Sequence, residues 1–306
     1  MKFSTNLPAD HEERMQRVLL SLDGLSVGDG FGERFFNAND FIDHWIGHRE
    51  PPPAPWIVTD DTMMAVSIVR CLKRYGHIDQ DALAADFAQE FKREPHRGYG
   101  GMAFQILTAI GEGFSWKAVS SHAFNGQGSC GNGGAMRSAP IGAYFADDYD
   151  RVIYETKASA EVTHAHPDGK AGAVAIALAA AWMVREENRA AKASHALIEF
   201  VLEHLPQTET YQNLIKALNV PLDSSAKKAA SILGNGSRVI SSDTVPFCLW
   251  CAARHPQDYP AAMWTTVSGL GDRDTTCAIV GGIVALSAGR ASIPSEWLQA
   301  REKIKI

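Results

Sequence analysis

Apolar residues recur at three- and four-residue steps along nearly the whole chain, and that period limits the fold more than any other feature. The segments "DQDALAADFAQEFKRE" (79–94), "RAAKASHALIEFVLEHL" (189–205) and "TETYQNLIKALNV" (208–220) each lay down such a stripe, the first behind an acidic cap region. The two-residue alternation of half-buried strands is almost absent. Caps and breakers divide the chain into roughly a dozen or more helices, joined by Gly- and Pro-bearing turns at "YGHID", "HAHPDGK" and "NVPLDSS". The expectation is an all-α fold, a single-domain orthogonal helical bundle over residues 1–306.

With 306 residues and 45% hydrophobic composition the chain can bury a full-sized core, though length alone leaves one domain or two open. The helical texture is the same on both sides of "HREPPPAPW" (His48–Trp56), so this proline run reads as a stiff surface loop leading into the active region, not a domain boundary. The apolar run "AGAVAIALAAAWMV" (171–184) is too short and Ala-rich to cross a bilayer and reads as a buried helix. The opening "MKFSTNLPADHEERMQ" has no apolar leader core. A formal charge of −6 leaves no excess of Lys and Arg to neutralise phosphates, which argues against a nucleic-acid surface or membrane-surface binding. Five scattered cysteines suit a reducing, cytoplasmic setting, and the Cys248–Cys251 pair falls on the apolar stripe of a helix as core thiols.

Chemistry gathers at two helix entrances. "VTDDTMMAVSIVRC" (58–71) sets Asp60 and Asp61 side by side between Thr59 and Thr62. Adjacent carboxylates in a partly buried site repel strongly enough to raise one pKa unless a cation sits between them. Far downstream, "GLGDRDTTCAIVGGIVAL" (269–286) offers Asp272, Asp274, Thr275 and Thr276 ahead of another apolar helix. Thr and Asp are favoured N-caps and first-turn acids suit the helix dipole, so either cluster alone reads as capping. A cap uses one side chain, and two clusters of paired acids exceed that need. Carboxylate and hydroxyl oxygens without neighbouring His or Cys favour Mg²⁺ or Mn²⁺ over zinc.

A third signal is rich in glycine: "HRGYGGMAFQIL" (96–107), then "FNGQGSCGNGGAMRSAPIG" (124–142). Glycines 126, 128, 131, 133 and 134 leave backbone N–H groups uncovered before a helix, an arrangement that cradles phosphate oxygens. Tight turns and close helix packing use the same residues, so the loop alone leaves both uses open.

Taken in order, "GLSVGDGFGERFF", "TDDT", "RGYGG", "GSCGNGGAMRSAPIG", "THAHPDGKAGA", "SDTVPFCLW" and "GDRDTT" resemble the ADP-ribosylglycohydrolase family across nearly the whole chain. The resemblance implies an all-α enzyme built around two divalent cations, Mg²⁺ or Mn²⁺, acting on ADP-ribose attached to a protein side chain or a small acceptor. It places Thr59, Asp60, Asp61, Asp272, Asp274 and Thr275 as metal ligands. Gly100, Gly128, Ser129, Cys130, Gly131 and Asn132 fall at the ligand-binding loops, with Phe124 against the adenine and His164 or His166 near the ADP-ribose. The two histidines have an alternative role as a helix C-terminal pair facing the last carbonyls.

Two positions depart from the pattern. Phe36 stands where one branch of the family carries a glutamate, while Glu33 directly follows Gly32, and Cys130 replaces a tyrosine. The implied reaction is hydrolysis at C1 of the ribose distal to adenosine through an oxocarbenium-like transition state, with Glu33 as auxiliary acid or base and Asp61 orienting water. Asp29 reads as organising its turn. A catalytically impaired relative that binds ADP-ribose is the alternative that Phe36 supports. An enzyme of prenyl diphosphates would carry an Asp-Asp-x-x-Asp cluster, whereas Thr62, Met63 and Met64 follow Asp61 here. The acceptor group and the oligomeric state stay open.

Overall fold

The computed structural model describes residues 7–36, 41–185 and 193–306. Residues 1–6 of the opening segment and 189–192 of the second helical pattern lie outside that set. Among the described residues sixteen α-helices and no strand form, and the only ladder-like pairs are the isolated bridges Trp56–Arg301 and Gly131–Ile240. The all-α expectation holds.

Helix α1 (His11–Glu33) and helix α15 (Arg273–Ala288) make the contact that positions the site. Gly24, Gly28 and Gly32 recur at four-residue spacing and so share one face of α1. A Cβ on any of them would lie 2.2–2.3 Å from the carbonyl oxygen of Gly281, Cys277 or Arg273 respectively. The pairing runs antiparallel, and only glycine lets the two backbones approach that closely. The start of α15, with its acids, is thereby pressed against the C-terminal half of α1. The Tyr259 hydroxyl adds a 2.6 Å bond to the Gly24 carbonyl at the other end of the seam.

Helix α3 (Asp60–Tyr75) begins at Thr59, whose hydroxyl oxygen accepts the Asp61 N–H at 3.3 Å. Its C-terminus closes on Gly76 at φ +67°, in the left-handed conformation glycine adopts without penalty. Helix α4 (Gln80–Arg93) is capped by Asp79, within the acidic cap region the sequence marks, and helix α11 (Glu209–Ala217) is capped by Thr208. The Ala-rich run lies in helix α9 (Pro167–Val184), where every residue from 171 to 184 is buried. No described helix is long and apolar enough to cross a membrane.

One correction concerns "HAHPDGK". Only its first half is a turn: Pro167 to Lys170 form the first turn of α9, with His166 as N-cap and Pro167 at the N1 position that suits its missing N–H. The proline run before Trp56 is irregular, but its end is pinned inside the protein. Trp56 is buried, donating its indole N–H to Pro52 O at 2.8 Å and its backbone N–H to Ala300 O at 2.7 Å. Buried apolar side chains form one continuous cluster from Met15 to Trp297, so this segment separates no second core. Cys248 and Cys251, both fully buried in helix α13 (Ser241–Arg254), are core thiols.

Candidate active site

The two acid clusters meet. Thr275 Oγ1, in the first turn of α15, lies 3.4 Å from Asp61 Oδ2 on α3, and Thr59 Oγ1 lies 3.0 Å from the same oxygen. Asp29 on α1 ties the approach together. Fully buried, it accepts the Thr59 N–H and hydroxyl at 2.9 Å each, and the Thr62 N–H and hydroxyl at 3.2 and 2.5 Å. Four donors on one carboxylate anchor the first turn of α3 to α1, whose glycine face already holds α15. Asp29 therefore organises the site, but from within helix α1 and not from the turn expected of it.

Asp60, Asp61, Asp272, Asp274 and Thr275 line one cavity of about 530 Å³ together with Gly98, Gly100 and Gly101, Phe124, Ser129 to Gly133, Thr163, His164 and the segment Arg238–Ile240. That volume falls within the roughly 300–1,000 Å³ of small-ligand sites. Burial, reinforced by the Asp274 and Asp29 charges, raises the Asp60 and Asp61 carboxyls well above the usual range. Asp272 is pushed up to about 7 by burial and then by Asp274, and Asp274 rises through burial and the Asp29 charge.

The carboxyls are not closed into a preformed cage: among the described residues no group of three or more His, Cys, Asp or Glu side chains has metal-ligand spacing. The donor chemistry still fits a hard divalent cation. Asp61 Oδ1 and Asp274 Oδ1 are enclosed without a hydrogen-bond partner, a costly state for buried carboxylate oxygens unless a cation or proton meets them.

The glycine loop reaches the same cavity. Asn132 Nδ2 donates to Asp272 Oδ2 at 2.7 Å and to Thr244 Oγ1 at 3.1 Å, coupling the loop to the acids. Two glycine amides expected to be uncovered are in use, Gly128 N–H on Ala123 O at 2.9 Å and Gly131 N–H on Ser129 Oγ at 3.1 Å, and Asn132 N–H bonds Val239 O at 3.2 Å. Phe124 sits at φ +52° with half its surface exposed at the cavity edge.

Four expected site residues fall differently: the ligand-binding pair Gly128 and His166, the catalytic Glu33 and the metal ligand Thr59. Gly128 does not line the cavity; a Cβ there would come within 2.6 Å of the His166 nitrogen, so it is a close-packing glycine. His166 also stands outside the lining, its Nδ1 accepting the Asp168 N–H at 3.0 Å as an N-cap. The C-terminal pair reading fails, because His164 lines the cavity while His166 opens the next helix. Glu33 ends α1, half-buried, its carboxyl raised by burial with a smaller contribution from Asp272, and it too stands outside the lining. Thr59 acts from behind the wall, through Asp61 and Asp29. Phe36 lies under the Arg273 guanidinium, 4.8 Å from ring centre to Cζ.

The sequence reading missed Arg137, Thr163 and Arg238. Arg137 is fully buried behind the glycine loop, donating to Gly133 O at 3.0 Å and Thr163 Oγ1 at 2.8 Å. A lone arginine inside "GGAMRSAPIG" was the available signal. Arg238 brings an exposed positive charge to the cavity lining.

The chain is thus an all-α bundle whose cavity joins two acidic helix starts to a glycine loop. The ADP-ribosylglycohydrolase family model matches residues 10–305, and the chain belongs to that family. Among its relatives, the human ADP-ribosylhydrolase ARH3 is 28% identical, with 92% of this chain and 88% of the relative aligned. The Rhodospirillum rubrum ADP-ribosyl-[dinitrogen reductase] glycohydrolase is 24% identical over 95% of this chain and 90% of its own. A solved structure titled "ADP-ribosylglycohydrolase-related protein complex" shares the fold at a TM-score of 0.65, with 22% identity and coverage of 95% and 94% of the two chains.

Proposed function

We propose that this protein is a divalent-cation-dependent hydrolase that cleaves the bond at C1 of the distal ribose of ADP-ribose attached to a protein side chain or small acceptor. Family membership supports hydrolysis of ADP-ribosyl linkages. The single observation that carries the finer reading is the convergence of Asp60, Asp61, Asp272, Asp274 and Thr275 on the cavity that also holds the glycine loop.

Asp60, Asp61, Asp272, Asp274 and Thr275 would hold two cations, Mg²⁺ or Mn²⁺, with Thr59 steadying Asp61 from behind. Bound there, they supply charge compensation for a diphosphate ligand and a lowered pKa for the attacking water. The chain's own groups do the rest. The glycine loop and Arg238 receive the diphosphate, Phe124 offers a face to the adenine, His164 holds ribose or phosphate oxygens, and Asn132 keeps Asp272 in place. Asp61, with one oxygen lacking a protein partner, orients water and accepts its proton. Its place in the cavity wall favours it over Glu33, which stands back as an auxiliary proton holder.

Phe36, where a branch of the family carries a glutamate, supports a second reading, an ADP-ribose binder with impaired turnover. A panel of ADP-ribosyl-arginine, ADP-ribosyl-serine and O-acetyl-ADP-ribose, each with Mg²⁺ or Mn²⁺, separates the two when paired with ADP-ribose calorimetry. Cation-dependent release from at least one substrate is expected. Tight binding without release would establish the binder, and neither binding nor release would reject both.

A further inference from the structure

Behind His164 runs a hydrogen-bond chain that starts on a buried cation. Arg137, fully buried, donates Nη2 to Thr163 Oγ1 at 2.8 Å, and Thr163 Oγ1 lies 2.8 Å from His164 Nδ1. A guanidinium can only donate, so the Thr163 oxygen gives a lone pair to Arg137. The hydroxyl proton then has one acceptor among the described residues, the Nδ1 lone pair of His164. In the opposite arrangement Nδ1–H would donate into Thr163, leaving the hydroxyl proton unpaired on a side chain with no solvent exposure.

We propose that Arg137 and Thr163 act as positioning residues that lock His164 in its Nε2–H tautomer, so that the imidazole presents a neutral N–H donor to ligand oxygens in the cavity. Which ring nitrogen faces a site is set by the bond the other one makes. Nε2 has no hydrogen-bond partner among the described residues. The glycine loop wraps it: a Cβ at Gly131 or Gly133 would stand 3.1 Å from that atom. Burial and the Arg137 charge hold the ring well below the usual histidine range, at about 3, so it stays neutral. The other tautomer would turn a lone pair toward the cavity, where ionised phosphate oxygens have no proton to donate to it.

The ligand half of this inference rests on the ADP-ribose reading, whereas the tautomer does not. The test is ¹⁵N NMR of the full chain labelled at histidine, free of ligand at neutral pH, with the signal assigned by its loss in His164→Gln. A pyridine-like shift at Nδ1 and a pyrrole-like shift at Nε2 are expected; a pyrrole-like Nδ1 would overturn the proposal. Thr163→Val, folded by circular dichroism, should lose the pure pattern and bind ADP-ribose about tenfold more weakly or worse, and Thr163→Ser should restore both. A wild-type pattern in Thr163→Val would remove Thr163 from the mechanism. If wild type has the expected tautomer but ADP-ribose does not bind, the functional reading fails and the lock stands.

Discussion

Thr275 Oγ1 and Asp61 Oδ2 stand 3.4 Å apart although 214 positions separate them in the chain. Neither helix start makes that meeting alone. The seam between α1 and α15 brings Thr275 in, and Asp29 holds the α3 entrance that carries Asp61.

Asp29→Asn tests the second hold. An amide cannot offer two acceptor oxygens to the Thr59 and Thr62 donors, and its NH₂ would face them. Loss of hydrogen bonds to a buried charge is worth about 1.5–3 kcal/mol each, offset in part because the neutral amide is easier to bury. Chemical denaturation should give a loss of about 2–4 kcal/mol for the variant, with activity falling alongside. An unchanged midpoint would contradict the role given to Asp29.

Gly28→Ala tests the seam. Its Cβ would lie 2.2 Å from the Cys277 carbonyl oxygen, backbone on both sides, so the helices must part. The expected cost is at least the roughly 1–3 kcal/mol of core overpacking. Gly47→Ala is the control. That site has nothing within 4 Å of the added Cβ and lies inside helix α2 (Ile42–His48), so the change should be neutral or stabilising by up to about 1 kcal/mol. Thermal melts of the two variants should move in opposite directions, or Gly28→Ala alone should fall.

A pH dependence follows from His164. Burial, then the Arg137 charge, lowers its folded pKa to about 3 from the 6.5 of a free histidine. The unfolded chain therefore binds the extra proton between those values. Stability from this group is fully present above pH 6.5 and is lost as pH falls toward 3. At pH 5 the loss is about 2 kcal/mol. Comparing unfolding at pH 7.5 and pH 5, His164→Gln should lose that much less than wild type. Equal losses would show that His164 is protonated in the folded protein.

Much of this was legible in the sequence, because capping and helical period are local. Asp79, Thr208 and Thr59 cap where their chemistry predicts, and the acid clusters announced themselves by carrying more carboxylates than a cap uses. Long-range partners were not legible. Nothing local says that Gly28 faces Cys277, that Arg137 is buried beneath a glycine loop, or that Gly131 and Asn132 spend their amides on the protein. His164 and His166 look equivalent in "THAHPDGK"; the helix beginning at Pro167 turns one into a cap and leaves the other on the cavity wall.

The central claim is that acids from both helix entrances serve one cation site. Mn²⁺ titration into chelator-treated protein, followed by the electron paramagnetic resonance signal of the free ion, addresses it without reference to any substrate. Wild type should bind, while Asp61→Asn on α3 and Asp272→Asn at the start of α15 should each weaken binding about tenfold or more, with the helical circular dichroism intact. Wild-type Mn²⁺ affinity in both variants would contradict the account.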